Sequence, residues 1–233
     1  MTSIKQCIHN IVRCLFHGIP RPGGHDDAVL GPGPLVLPSL LPKIYASLQA
    51  LYFASQRRVE ERFARTVQRL RKLSDACLAQ YLGSQILERH VAESNGPVMV
   101  DTVRLIRQLP LCIQPGDKLD VVVKIFDSAR HLVKQSSKAD EFGADELLPI
   151  IEFVLIRGAI QNLGIEIQFI KDFLHPDIQG GQKGLWFCHF YAAYKSLSKV
   201  WKVKFISYSK VNSTNTITLF IQLGYHLQTH QKL

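Results

Sequence analysis

Asp145 and Glu146 form an acidic pair at the start of a strongly apolar stretch, which runs to about Arg157 in this 233-residue chain. The pattern predicts a helix from Asp145 to about Arg157 with both acids in its first turn. A carboxylate at a helix N-terminus stays ionised, because the helix dipole and the free N–H groups favour the anion. The pair is therefore suited to disturbing a phosphate or Mg²⁺ held by another molecule. Acids in a first turn also simply stabilise helices, and this structural interpretation stays open.

Two other groups of reactive side chains are interpreted as structural. Four residues near the N-terminus have the side chains of zinc ligands: Cys7, His9, Cys14 and His17. On one helix over 3–17, Cys7 and Cys14 lie ~10.5 Å apart along the axis, too far for the ~2.0–2.3 Å bonds of one zinc ion. Cys188 and His189 are adjacent, and adjacent helical side chains do not face each other. The sequence therefore predicts no metal, no cofactor and no bond-making or hydrolytic chemistry.

The positive charge of the chain is concentrated towards its C-terminal end. The formal net charge is +9, but no Asp or Glu follows Asp177, and residues 178–233 carry seven lysines. No aromatic-rich basic motif accompanies these lysines, so we expect no nucleic-acid partner. A solvated tail is the simplest interpretation, and a peripheral contact with an anionic membrane is the alternative.

Hydrophobic periodicity divides the chain into four parts and predicts helices in two of them. The four parts are a short amphipathic helix at 1–19, a Pro/Gly-rich linker at 20–42, a helical domain at 43–200, and a lysine-containing tail at 201–233 that is disordered or a weak hairpin. The predicted helices of the domain are 43–82, 98–109, 117–134, 145–157, 163–174 and 185–200. Five scattered cysteines indicate a reducing compartment, and no apolar run reaches the about 20 residues that a membrane span needs.

The motifs at 144–149 and 160–166 resemble those of a known domain family. Ala144-Asp145-x-Leu147-Leu148-Pro149, followed by a long apolar helix, resembles the core signature of the VPS-nine (vacuolar protein sorting nine) domain. Ile160-Gln161-Asn162-Leu163-Gly164-x-Glu166, with Asp172, Pro176 and Gly184 after it, is most similar to the alsin branch. The core of the resemblance covers 115–200, and a weaker part covers about 55–114. It implies an all-α helical bundle.

The resemblance also implies a function and a site. VPS-nine domains are guanine-nucleotide exchange factors for GTPases of the Rab-five subfamily on early endosomes, which implies a cytoplasmic protein at the endosomal surface. Asp145 corresponds to the acidic residue that points at the phosphate-binding loop and magnesium site of the GTPase, and Pro149 to the proline that shapes the binding groove. The other candidates for contact with the GTPase are Glu146, Leu147, Val154, Leu185, Phe187 and Cys188. Core packing explains the apolar members of this set equally well.

Two positions differ from the pattern of the family. Most members carry tyrosine at the position of Leu185 and threonine at that of Cys188, and a thiol is a weaker hydrogen-bond partner than a hydroxyl. The alternative function is therefore a catalytically weak module that binds a Rab GTPase or an alsin-type partner as a scaffold. A homo-oligomer stays open as well.

Overall fold

The computed structural model describes residues 32–94, 96–136, 144–173 and 181–199. Every regular element of these residues is helical, which confirms the all-α prediction. None of the helices in these ranges is both long and apolar enough to cross a membrane. The predicted helix at 1–19 and the tail at 201–233 lie outside the described residues.

Eight α-helices and one 3₁₀ turn make up the described part of the chain. They are α1 (Pro32–Leu70), α2 (Asp75–Leu82), α3 (Gln85–Glu93), α4 (Val100–Ile106), the 3₁₀ turn (Leu109–Leu111), α5 (Pro115–Ser136), α6 (Ala144–Gly158), α7 (Leu163–Phe173) and α8 (Gln182–Lys199). The helix predicted at 43–82 is broken after Leu70, and α3 was not predicted. Ser84 begins α3 by accepting a hydrogen bond from the Leu87 N–H at 3.3 Å.

Residues 32–42 belong to α1, so the predicted linker at 20–42 was wrong over this part. Pro38 and Pro42 lie inside the helix and are exposed. Each proline removes one backbone hydrogen bond, but α1 continues because its inner side packs against α7. The buried residues of this contact are Leu41, Leu48, Tyr52, Ile165 and Phe169. Burying such side chains stabilises by about 1.5–3 kcal/mol each, which offsets the cost of a proline of about 3 kcal/mol.

Helix α6 is the central element of the described residues. Its side chains from Ile150 to Ile156, apart from Glu152, have no exposed surface. Helices α1, α2, α4, α5 and α8 all pack against it. Gly158 allows α4 to approach closely, since a Cβ at this position would overlap Ile106. The strongly apolar stretch after the acidic pair therefore forms a helix that is covered on nearly all sides.

A buried ion pair joins α5 to α7. Lys118, which has no exposed side-chain surface, lies 2.5 Å from a carboxylate oxygen of Glu166, which is 6% exposed. The Lys118 ammonium also donates to the Tyr45 hydroxyl at 3.0 Å and to the Leu109 carbonyl at 2.9 Å. The Tyr45 hydroxyl in turn donates to Glu166 at 3.2 Å. The pair thus connects α1, α5, α7 and the 3₁₀ turn, and its hydrogen bonds compensate for the loss of water.

A second buried carboxylate joins α1, α7 and α8. The Tyr194 hydroxyl donates to Glu60 at 2.5 Å, and the backbone N–H of Gly164 also donates to Glu60. Desolvation raises the pKa of Glu60 despite these two bonds. A side chain on Gly164 would overlap both the Tyr194 hydroxyl and the Glu60 carboxylate. Glycine is therefore required where the three helices meet.

We expect Lys118→Met to lower the free energy of unfolding by about 3–5 kcal/mol, because it leaves the Glu166 carboxylate buried without its cation. Lys183→Met is the matched control. Lys183 pairs with Asp120 at the surface, where the two side chains are 54% and 51% exposed, and an exposed pair contributes about 0–1 kcal/mol. Urea denaturation measures both losses. Losses of equal size would contradict the importance of the buried pair.

Gly164→Ala should lower the free energy of unfolding by about 1–3 kcal/mol, because the methyl group forces Glu60 and Tyr194 apart. Gly116→Ala is the control, since a Cβ at Gly116 meets no atom within 4 Å, and alanine favours the helix by about 0.5–1 kcal/mol. Thermal unfolding monitored by circular dichroism compares them. A neutral Gly164→Ala variant would show that the contact adjusts without cost.

Candidate functional site

The acidic pair lies at the N-terminus of α6, as the sequence predicted. The helix begins at Ala144, so Asp145 and Glu146 are its second and third residues, and Glu146 is exposed. The backbone N–H groups of this first turn have no acceptor inside the helix. They and the helix dipole favour negative charge at this end. A rigid, buried helix therefore holds an acidic end.

Pro149 lies inside α6. It is the sixth residue of the helix, where a residue other than proline would donate its N–H to the carbonyl of Asp145. Proline has no such N–H, so the Asp145 carbonyl lacks this donor. The proline therefore removes one backbone hydrogen bond from the first turn of α6, the turn that contains the acidic pair.

Two of the predicted contact residues are buried in the core. Val154 has no exposed surface and Leu147 is only 3% exposed. A partner cannot reach Val154 in this conformation, so its predicted place in a binding groove is not supported. Core packing, the alternative that the sequence left open, describes both residues.

Helix α8 presents a small apolar stripe to solvent. Leu185 is 52% exposed, and Cys188 and Ala192, three and seven residues later, are exposed on the same side. Phe187 is half-buried. Between these residues, Trp186 turns inward and stacks on Phe126 of α5 at 5.0 Å between ring centroids. The stacking fixes the rotation of α8 and leaves the stripe at the surface.

His189 is engaged by its own helix. Its Nδ1 lies 2.9 Å from the Leu185 carbonyl, which can only accept, so Nδ1 carries the proton. The ring packs against Phe126 and Trp186 at 6.4 and 6.1 Å between centroids. These contacts give His189 a structural role next to the exposed Cys188.

Helices α6 and α8 contact each other through a polar bond as well as through apolar packing. The carboxylate of Glu152 on α6 accepts a hydrogen bond from Ser196 on α8. Desolvation raises the pKa of Glu152. Helix α6 with the acidic pair and α8 with Leu185 and Cys188 are therefore adjacent elements of one bundle. The two predicted halves of the site lie on neighbouring helices.

Arg157 anchors the other end of α6, and sequence reasoning missed this role. Its guanidinium lies 2.7 Å from the Asp75 carboxylate and donates to the carbonyls of Arg71 and Leu73 at 3.0 and 2.8 Å. The signal in the sequence was an arginine at the end of an otherwise apolar helix. By fixing α6 to the turn between α1 and α2, Arg157 positions the acidic end indirectly.

No group of three or more His, Cys, Asp or Glu side chains within 38–94, 96–135, 146–173 and 181–199 is arranged to hold a metal ion. Cys7, His9, Cys14 and His17 lie outside the described residues. The acidic pair is therefore considered as a charged contact surface and not as a metal centre.

Comparison with known proteins identifies the family. Residues 101–202, which include most of α4 and all of α5 to α8, match the family model of the Vacuolar sorting protein 9 (VPS9) domain, the family called VPS-nine above. Alsin of Rattus norvegicus is 30% identical over an alignment of 193 residues, which covers 77% of this chain and 11% of alsin. The ALS2 C-terminal-like protein of Homo sapiens is 26% identical over an alignment of 159 residues, which covers 63% of this chain and 17% of that protein.

The Alsin homolog of Drosophila melanogaster is 24% identical over an alignment of 194 residues, which covers 78% of this chain and 13% of that protein. The chain thus spans only 11% of the length of the alsins that it matches. The similarity to the alsin branch inferred from the motifs at 144–149 and 160–166 is confirmed. Together, the motifs, the helical bundle and these matches show that the chain belongs to the VPS9 domain family, with residues 101–202 as its VPS9 domain.

Proposed function

We propose that this chain is a guanine-nucleotide exchange factor for a small GTPase of the Rab-five subfamily, acting in the cytoplasm at the surface of early endosomes. The observation that carries the proposal is the VPS9 match over residues 101–202. The matched region includes the acidic start of α6 and the exposed stripe of α8. The similarity to alsin supports the same assignment.

The acidic end of α6 supplies the charge that exchange requires. GTPases hold their nucleotide through Mg²⁺ and a lysine of the phosphate-binding loop. A carboxylate of Asp145 brought to that loop competes for the lysine and repels the phosphates. Because α6 is enclosed by other helices, it holds the charge of Asp145 in a fixed position. The exchange factor therefore cannot relieve the repulsion by moving the carboxylate away, and the affinity of the GTPase for its nucleotide stays lowered.

The stripe of Leu185 and Cys188 on α8 supplies an apolar surface for the moving part of the GTPase. A segment of the GTPase that packs on this stripe is held away from the nucleotide. The exchange factor thus binds the nucleotide-free state better than the nucleotide-bound state, and this difference in affinity drives release. Glu146, Pro149 and Phe187 border the two surfaces and are proposed contacts.

A scaffold is the second candidate, and Cys188 favours it. This residue is exposed on the stripe and offers a thiol where the family pattern has a hydroxyl. Such a module would bind a Rab GTPase or an alsin-type partner without accelerating release. The same surfaces of α6 and α8 would be used in both cases.

The test is the rate of GDP release from a panel of GTPases of the Rab-five subfamily, measured with a fluorescent GDP. We expect the wild-type chain to accelerate release from at least one member. Asp145→Asn should reduce this acceleration at least about tenfold, or about 1.4 kcal/mol, because it removes the charge and keeps the shape.

Glu88→Gln is the matched control, since Glu88 is an exposed acid in the first turn of α3, outside residues 101–202. It should change the rate less than about twofold, as expected for surface charge away from the contact. Release at the spontaneous rate with wild type and both variants, together with retained GTPase binding, would establish the scaffold instead. Equal losses in the two variants would contradict a specific role for Asp145.

Cys188→Thr should raise the exchange rate, because it restores a hydroxyl to the α8 stripe. One hydrogen bond contributes about 0.5–1.5 kcal/mol, so a roughly two- to tenfold gain is expected. Cys77→Thr controls for the general effect of replacing a partly buried cysteine on α2. A gain in both variants, or in neither, would count against a contact of residue 188 with the GTPase.

A further inference from the structure

A concave surface lies at the opposite end of α6 from the acidic pair. It has a volume of about 560 Å³ and is formed by the last turns of α1 and the loop that joins α6 to α7. This volume is typical of ligand pockets. The apolar part of its lining consists of Ala64, Ala159 and Ile160, with Phe63 and Val67 behind them. We call this surface the α1 pocket.

The polar part of the lining carries positive charge. Arg71, Lys72, Gln68 and Gln161 line the α1 pocket and are all exposed. The lining includes no Asp or Glu. Arg, Lys and amide side chains offer several N–H donors, so the pocket favours an occupant with negative charge and hydrogen-bond acceptors.

The charge of the surrounding segment agrees with that of the pocket. Residues 62–74 contain four arginines and one lysine but no acid. The acids that flank this segment are engaged elsewhere. Glu61 accepts from Arg57 at 2.9 Å, and Asp75 pairs with Arg157 at 2.7 Å. The exposed cations beside the pocket therefore produce a local positive potential that attracts anionic groups.

The far wall of the pocket has an unusual backbone. Ala159 and Asn162 adopt positive φ angles of 49° and 58°, on either side of Ile160 and Gln161. Residues other than glycine rarely adopt this conformation, and it persists where the surroundings enforce it. Here the Ala159 N–H donates to the Leu155 carbonyl at 3.1 Å, and the Asn162 carbonyl accepts from Ile165 at 2.9 Å. The wall is thus formed before any partner binds.

We infer that the α1 pocket binds a short acidic segment of a partner protein. One apolar side chain of that segment packs against Ala64 and Ile160, and the carboxylates on either side of it face Arg71 and Lys72. A membrane surface fits less well, because the pocket is concave. The large exposed apolar side chains of the described residues, which could enter a bilayer, also lie outside its lining: Leu51, Phe53, Val100, Leu111, Ile113 and Leu185. The inference does not depend on the exchange activity proposed above.

The test uses a fluorescein-labelled peptide, EDEFEDE, and measures its anisotropy as the full chain is added at physiological salt. We expect saturable binding. The peptide with Ser in place of Phe should bind at least about fivefold more weakly, because it loses the apolar contact. Arg71→Gln combined with Lys72→Gln should weaken binding of the original peptide at least about tenfold, because the carboxylates lose their cations.

Lys43→Gln combined with Arg58→Gln is the matched control, because it removes the same charge from exposed positions of α1 outside the pocket. It should weaken binding less than about twofold, and circular dichroism should show that both double variants are folded. Ala64→Trp, which fills the pocket and keeps the charge, should also abolish saturable binding.

Three outcomes would overturn the inference: no saturable binding, equal losses in the two double variants, or equal affinity for the peptides with Phe and Ser. Binding to phosphatidylserine vesicles that requires Arg71 and Lys72, without binding to the peptide, would assign the pocket to lipid instead. The Arg71, Lys72 double variant keeps the backbone carbonyl of Arg71 that anchors Arg157, and α6 carries the acidic pair at its other end, so the rate of GDP release should not change. The proposed function fails only if the wild-type chain itself does not accelerate GDP release, which is a separate measurement.

Discussion

The burial of α6 determines how the other helices are arranged. A helix that is apolar on nearly every side must be covered on every side, and α1, α2, α4, α5 and α8 provide that cover. Charged and partly exposed residues occur towards its ends, with Glu146 at the beginning and Arg157 near the end. The ends of α6 therefore meet solvent at two separate surfaces, while its middle cannot move without disturbing the core. The candidate site requires this rigidity of α6, because α6 carries the acidic pair.

The sequence predicted the helices with clear apolar periodicity and missed the features that depend on contacts between distant residues. Helices α5 to α8 were found to within a few residues because their apolar faces are continuous. Proline at 38 and 42 suggested a linker, since local propensity contains no information about the burial of Leu41 against α7. Glu60 lies among charged neighbours, a pattern that is typical of a solvated helix face, although it is 4% exposed. Its partners Gly164 and Tyr194 are more than a hundred residues away in sequence.

For the candidate site, sequence patterns located the elements better than the roles of single residues. The acidic start of α6 and the exposed position of Leu185 follow from a helix boundary and from one helical face, and both can be read from local pattern. Val154 was proposed as a groove residue, because the sequence alone does not distinguish an apolar residue that lines a groove from one that packs in the core. Lys118 and Arg157 were not anticipated, because a charge on the inner face of a helix is recognisable only when its partner is known.

Arg157 has a consequence for how the protein opens. Its guanidinium holds the carbonyls of Arg71 and Leu73 and the carboxylate of Asp75 at once, so the corner between α1 and α2 and the last turn of α6 share one set of bonds. If the corner between α1 and α2 opened, the guanidinium of Arg157 would lose its acceptors. If the last turn of α6 opened, the two carbonyls and the Asp75 carboxylate would lose their donor. Local opening of either segment therefore breaks bonds that hold the other, so the corner and the end of α6 stabilise each other.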